Sequence, residues 1–113
     1  MGKNFEDLEV WKRACRIVVR LYDLLKESKD YGLKDQMLRA AVSVPSNIAE
    51  GSERGSTAEF KRFLNIANGS AAELRTQIYI AAKVYVLAPS ETDTLIKELK
   101  EISMMLQGLI DSI

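Results

Sequence analysis

The stretch Arg39–Ser56, which reads RAAVSVPSNIAEGSERGS, decides the fold of this chain. Its apolar residues repeat at the three- and four-residue spacing of an α-helix, and Pro45 lies inside that pattern. Because proline removes one helical hydrogen bond, the pattern predicts a helix that is kinked near residues 41–44. Gly51 suits a left-handed helix C-cap, so we expect the helix to end there.

A second helix is predicted to begin at the end of the same stretch. Ser56 and Glu59 have the S-x-x-E spacing of a capping box, and apolar residues follow at helical spacing to about Leu87. This helix crosses Gly69 and Ser70. Since a glycine inside a helix costs up to about 1 kcal/mol relative to alanine, we expect a neighbouring helix to pack closely against Gly69.

Two further amphipathic segments flank these helices. The first covers about residues 6–26 and is followed by a break at Tyr31-Gly32, and the last begins after Pro89. Hairpin turn sequences and sustained alternation of apolar and polar residues are missing, so no strand is predicted. The sequence therefore predicts a single all-α domain over residues 1–113, an antiparallel up-and-down four-helix bundle with a kinked second helix.

The first helix carries more apolar surface than one core requires. On a helical wheel its apolar residues cover an arc of roughly 220°, whereas a helix that faces one core needs a stripe only somewhat wider than about 100°. The helix is therefore expected either to lie deep in the bundle or to contact another subunit as well. Cys15 lies among these apolar positions, and we interpret it as a small buried hydrophobic residue.

Composition argues against most catalytic chemistry. The sequence has no histidine and one cysteine, which excludes a Ser–His–Asp triad and His or Cys zinc sites. No phosphate-binding glycine motif is present, and no cofactor or small-molecule substrate is expected. Sixteen basic residues balance sixteen acidic ones, which argues against a dedicated nucleic-acid-binding protein. The sequence lacks an apolar run of membrane-spanning length, and a cytoplasmic location is the expectation.

Two groups of polar residues are candidates for binding. The first, called the basic ridge below, could contact phosphates or could be a solvated helix face; it consists of Lys12, Arg13, Arg16 and Arg20. The second, called the polar set, could form a binding pocket or a network between subunits. It could equally be a capping and salt-bridge network that holds the second helix. Its members are Arg39, Asn47, Glu50, Arg54 and Glu73.

The order of residues resembles that of a known family. The block PSNIAEG at Pro45–Gly51 carries most of the likeness, supported by F-x-D-L-x-V-W at Phe5–Trp11 and by Glu59-Phe60, Phe63-Leu64 and Glu73-Leu74. Over about residues 4–87 the chain is similar to the bacterial four-helix bundle family named after proteins encoded in intervening sequences of 23S rRNA genes. That family includes relatives of the accessory variability protein of diversity-generating retroelements.

The resemblance implies a protomer that assembles into a ring, commonly a homopentamer, with no established enzymatic activity. For the retroelement branch it implies binding to nucleic acid and to a reverse transcriptase. We therefore expect a non-enzymatic oligomeric assembly or adaptor protein that binds RNA, DNA or a nucleic-acid-processing partner. The alternative is a structural or protein-interaction module with no nucleic-acid role.

Overall fold

The computed structural model of the chain describes residues 4–113. After a short 3-10 turn at Phe5–Asp7, four α-helices follow: α1 is Glu9–Leu25, α2 is Tyr31–Ser52, α3 is Thr57–Lys83 and α4 is Pro89–Ser112. No strand occurs in the described residues. The predicted all-α four-helix fold is confirmed.

Consecutive helices run in opposite directions and α4 closes the bundle against α1. The most extensive contact joins α2 to α3, and the least extensive joins α1 to α4. The largest side chains with almost no exposure come from all four helices, so the core runs along the axis of the bundle. They are Leu21, Leu25, Met37, Val44, Ile48, Leu64, Leu74, Ile78, Leu99, Ile102 and Leu106.

The start of α2 differs from the expected break at Tyr31-Gly32. The Asp30 side chain accepts a hydrogen bond from the backbone N–H of Leu33 at 3.2 Å, so Asp30 is the N-cap. Tyr31 and Gly32 therefore form the first helical turn, and the loop lies before them. The acidic cap outweighs the turn tendency of the Tyr-Gly pair.

The predicted capping role of Gly51 was wrong. α2 continues to Ser52, and Gly51 is buried where a Cβ atom would lie 2.5 Å from the Cβ atom of Phe63. The left-handed conformation belongs instead to Gly55, with φ of 81°. Gly51 is therefore a site of close helix packing, and Gly55 makes the turn.

α2 continues unbroken through Pro45, which is buried. Two residues further on, the Asn47 amide donates to the carbonyl oxygen of Ser43 at 2.8 Å and to its hydroxyl at 2.9 Å. The Ser43 hydroxyl in turn lies 2.8 Å from the Ser70 hydroxyl of α3. Local side chains thus supply polar contacts around the proline, and a bend at this position stays a prediction.

The predicted N-cap is present at the start of α3, where the Ser56 hydroxyl accepts from the backbone N–H of Glu59 at 3.1 Å, while the Glu59 carboxylate accepts from Arg62 at 2.8 Å. The helix ends earlier than expected, at Lys83. Tyr85 follows with φ of 63°, and the backbone N–H of Val86 donates to the carbonyl of Ala81 at 2.8 Å. This is a Schellman motif with tyrosine at the position that usually holds glycine.

The close packing expected at Gly69 is not found within the protomer. A Cβ atom added to Gly69 would meet nothing within 4 Å, and the residue is exposed. The helix–helix approach that we assigned to Gly69 occurs at Gly51 instead. Within residues 4–113, no helix is long and apolar enough to cross a membrane.

Candidate interaction surfaces

The structure separates the apolar residues of α1 into two stripes. One stripe is buried in the core and consists of Val10, Ala14, Ile17, Leu21 and Leu25. The other, called the outer α1 stripe, is only partly covered. It consists of Trp11, Cys15, Val18, Val19 and Tyr22. Val19 is 70% exposed and Tyr22 is 53% exposed. The excess apolar surface predicted for the first helix is therefore on the outside of the protomer.

Cys15 is half-buried in the outer α1 stripe. Burial raises the pKa of its thiol, so the thiol stays protonated at neutral pH and the residue acts as a small apolar side chain. This agrees with its interpretation as a hydrophobic residue, although it is less covered than we expected.

The apolar surface continues from α1 onto α2. A surface cavity of about 480 Å³ lies between the two helices, and Tyr22, Leu38 and Val42 supply its apolar wall. Arg39, a member of the polar set, lines the same cavity. No carboxylate in residues 4–113 forms a salt bridge with this arginine, which is exposed.

Arg13 of the basic ridge is bound by carboxylates of α4. Its Nε and Nη2 atoms donate to both carboxylate oxygens of Glu98 at 2.7 and 2.6 Å, and Nη2 also donates to Glu101 at 2.7 Å. This pairing raises the pKa of Arg13 and lowers the pKa of Glu98, in both cases chiefly through the hydrogen bonds between them. Arg13 therefore links α1 to α4.

Arg20 forms a second link in the same seam, because its Nη2 atom contacts both carboxylate oxygens of Glu91 at 2.5 and 2.8 Å. Arg16 has a weaker contact with Glu9 at 3.4 Å. Lys12 has no salt bridge within the described residues and is exposed. The ridge residues do share one side of α1, but neighbouring carboxylates neutralise much of their charge. The sequence did not reveal this pairing because the main acceptors lie 71 to 88 residues away.

The polar set does not form one pocket. Glu50 and Arg54 form an ion pair at 2.5 Å, and the Arg54 guanidinium lies 4.8 Å from the ring centre of Phe63. Asn47 belongs to the serine network near Pro45, and Glu73 accepts a long hydrogen bond of 3.5 Å from Gln77. The set is thus dispersed: Arg39 lies in the cavity between α1 and α2, while the other members lie on α2 and α3. Whether it binds a partner or only supports α2 stays a prediction.

A third surface was not identified from the sequence. It runs along α3 beside α2 at alternating spacings of four and three residues, and we call it the outer α3 strip. Its members are Ile66, Ser70, Glu73, Gln77 and Ile80. Ile66 and Ile80 are large exposed apolar residues, and Glu73 between them is also exposed. The strip has the alternating four- and three-residue spacing of a coiled-coil seam, but only Ile66 and Ile80 are apolar, so the sequence shows no apolar stripe there.

Across residues 4–113, no three acidic or cysteine side chains come close enough together to hold a metal ion.

Comparison with known proteins gives a family match and a structural match. A family model described as "23S rRNA-intervening sequence protein" matches residues 6–108. The fold is similar to the crystal structure of a protein of unknown function from the S23 ribosomal protein family of Bacteroides thetaiotaomicron VPI-5482. The TM-score is 0.85 at 26% sequence identity, over 89% of this chain and 97% of that chain. No curated protein matches the chain.

Proposed function

The chain belongs to the 23S rRNA-intervening sequence protein family, and from its surfaces we propose that it is a non-enzymatic assembly or adaptor protein. Its main activity in this proposal is to bind copies of itself and, as an oligomer, a partner protein. The observation that carries the proposal is the outer α1 stripe, an apolar helix face that the protomer leaves partly uncovered.

The outer α1 stripe supports self-association on physical grounds. Contiguous exposed apolar surface is uncommon on monomeric proteins and marks interaction sites when polar residues border it. Here Lys12 and Arg16 border the stripe on one side, and Arg39 borders the adjoining cavity on α2. Aromatic side chains such as Trp11 and Tyr22 are also enriched at protein interfaces. A ring of five copies follows from the family resemblance and is part of the proposal.

The residue inventory supports the non-enzymatic part of the proposal. The sequence has no histidine, and its one cysteine has a thiol whose pKa is raised by burial. Neither feature favours acid–base or nucleophilic catalysis at neutral pH.

A nucleic-acid role is the second candidate, and it rests on Lys12 and Arg16. These cations lie one turn apart on α1, and a ring would repeat them around its circumference, which would add up weak phosphate contacts. Arg13 and Arg20 contribute less because glutamates of α4 already bind them. The ion pairs therefore favour a protein partner over RNA or DNA, and a reverse-transcriptase-like partner would be bound through protein surfaces.

Light scattering on a size-exclusion column tests the main proposal. We expect a mass that is a multiple of the 12.7 kDa protomer at micromolar concentration. A single protomer mass would refute self-association.

Fluorescence anisotropy with a structured RNA at 50 and 200 mM salt tests the second candidate. Binding that weakens steeply with salt, and that the Lys12→Gln/Arg16→Gln variant reduces, would support phosphate contacts. If the wild type does not bind RNA at 50 mM salt, the nucleic-acid role is refuted and the protein-adaptor function is the remaining candidate.

A further inference from the structure

We infer that the outer α3 strip of one copy is the surface that receives the outer α1 stripe of a second copy. The inference rests on the proposed self-association and names the complementary surface that the apolar face of α1 contacts. The two surfaces are different parts of the protomer, so the contact is head-to-tail.

The first observation is that Gly69 of α3 is exposed inside a long helix. It lies inside a 27-residue helix, where glycine is unfavourable relative to alanine. Nothing in the protomer approaches its missing side chain within 4 Å. Ser70 and Ser43 beside it are also small, and their hydroxyls bond to each other across the seam. The outer α3 strip therefore has a shallow depression near Gly69, where a helix of another molecule can approach the backbone.

The spacing of the two surfaces is the second observation. The outer α3 strip repeats at alternating four- and three-residue intervals, and so do Trp11, Cys15, Val18 and Tyr22 of α1. Two helices whose contact positions share this period keep those positions in register along their length. The bulky residues are on α1, and Ser70 of the α3 strip lies next to Gly69, so a bulky α1 side chain can approach α3 at that point.

The polar groups of the α3 strip are the third observation. Gln77 is only 7% exposed, and its side-chain oxygen has no hydrogen-bond donor in the protomer. Its amide nitrogen reaches the exposed carboxylate of Glu73 only at 3.5 Å. The outer α1 stripe is bordered by Lys12 and Arg16, whose charges are weakly compensated. A cation from the second copy would thus meet the exposed Glu73 carboxylate, whose one hydrogen bond is long.

Size is the fourth observation. The Cα extents of the bundle are 44 × 21 × 20 Å, so the long sides are large enough for the roughly 800 Å² per partner that a stable interface buries. The outer α1 stripe is an uncovered apolar face whose residue spacing matches that of the outer α3 strip. A second copy of the chain therefore supplies a surface that fits the α3 strip.

The decisive experiment measures mass by light scattering for two variants, each alone and then mixed. Gly69→Leu fills the low centre of the α3 strip without a clash inside the protomer. Tyr22→Glu places a charge in the outer α1 stripe. Gly108→Leu and Tyr79→Glu are matched controls, because Gly108 also has nothing within 4 Å of a Cβ atom and Tyr79 is 50% exposed in a helix. Circular dichroism and urea midpoints establish that each variant is folded.

We expect Gly69→Leu and Tyr22→Glu each to fall to the protomer mass, while both controls keep the wild-type mass. Mixing the two monomeric variants should restore a 1:1 complex, because each retains the surface that the other has lost. If Gly69→Leu stays assembled, or if the mixture stays monomeric, the inference is wrong even though self-association stands. A monomeric wild type would overturn the proposed self-association, and this inference with it.

Discussion

Gly51 of α2 and Phe63 of α3 set the distance between the two helices near their connecting turn. A Cβ atom on Gly51 would lie 2.5 Å from the Cβ atom of Phe63 and 3.4 Å from the backbone oxygen of Phe60. Carbon atoms in good contact are about 3.5–4.0 Å apart. The neighbouring atoms are a Cβ and a backbone oxygen, so a larger residue at position 51 requires the helices to separate.

We expect Gly51→Ala to lower the free energy of unfolding by about 1–3 kcal/mol, the range for overpacking a core contact. Gly108→Ala is the control, since a Cβ atom there meets nothing within 4 Å. It should raise the same free energy by up to about 1 kcal/mol through helix propensity. Urea denaturation measures both, and equal stability of the two variants would contradict the packing role of Gly51.

Arg13→Gln is expected to lower the free energy of unfolding by about 1–2 kcal/mol, because it removes charge-assisted hydrogen bonds to Glu98 and Glu101. Lys12→Gln, one residue away and without a salt bridge in the described chain, should change it by less than about 0.5 kcal/mol. Chemical denaturation at pH 7 compares the two variants. If both variants lose a similar free energy of unfolding, the ion pairs between α1 and α4 do not contribute to stability.

The stability of the α1–α4 seam should depend on pH. The pKa of Glu98 in the folded protein is held below its ordinary value of 4.5, chiefly by the hydrogen bond from Arg13. At acidic pH the unfolded chain therefore binds a proton at Glu98 that the folded chain does not, and acid favours unfolding. This contribution is complete above about pH 4.5 and is lost as the pH falls through the folded pKa.

Accordingly, Glu98→Gln should be less stable than the wild type at pH 7, and the difference should shrink below pH 4.5. Urea midpoints between pH 3 and pH 7 give both curves. A difference that stays constant over this interval would show that the Glu98 carboxylate has no shifted pKa.

Tyr85→Gly is expected to stabilise the protein by about 1 kcal/mol. The φ of 63° at this position is unfavourable for any residue with a Cβ atom, and the side chain is 93% exposed, so little packing is lost. Tyr85→Ala keeps the strain and should show no such gain. Thermal or urea unfolding measures the stability of both variants. If Tyr85→Gly is less stable than the wild type, the tyrosine ring makes a stabilising contact.

Local sequence signals located the helices, since periodicity and the Ser56 capping box depend on neighbouring residues only. The predicted roles of Gly51 and Gly69 were both wrong, because a glycine in a helical pattern suits a cap, a close contact or an open surface equally well. The choice depends on which residue of another helix lies opposite, which spacing alone does not show.

The basic ridge illustrates the same limit for the candidate site. The sequence correctly places its four cations on one side of α1, but the charge that they present depends on Glu91, Glu98 and Glu101 of α4. The outer α3 strip was missed for a different reason. Its central residues are small or polar, so a search for apolar stripes does not detect it.

The ion pair between Arg13 and Glu98 also has a consequence for the order in which the protein is made. The two residues are 85 positions apart. At roughly 5–20 residues per second, the ribosome adds Glu98 roughly 4–17 s after Arg13. During that interval the Arg13 guanidinium lacks both carboxylates that bind it in the folded protein. The face of α1 that carries Arg13 is therefore more basic in the nascent chain than in the finished protein.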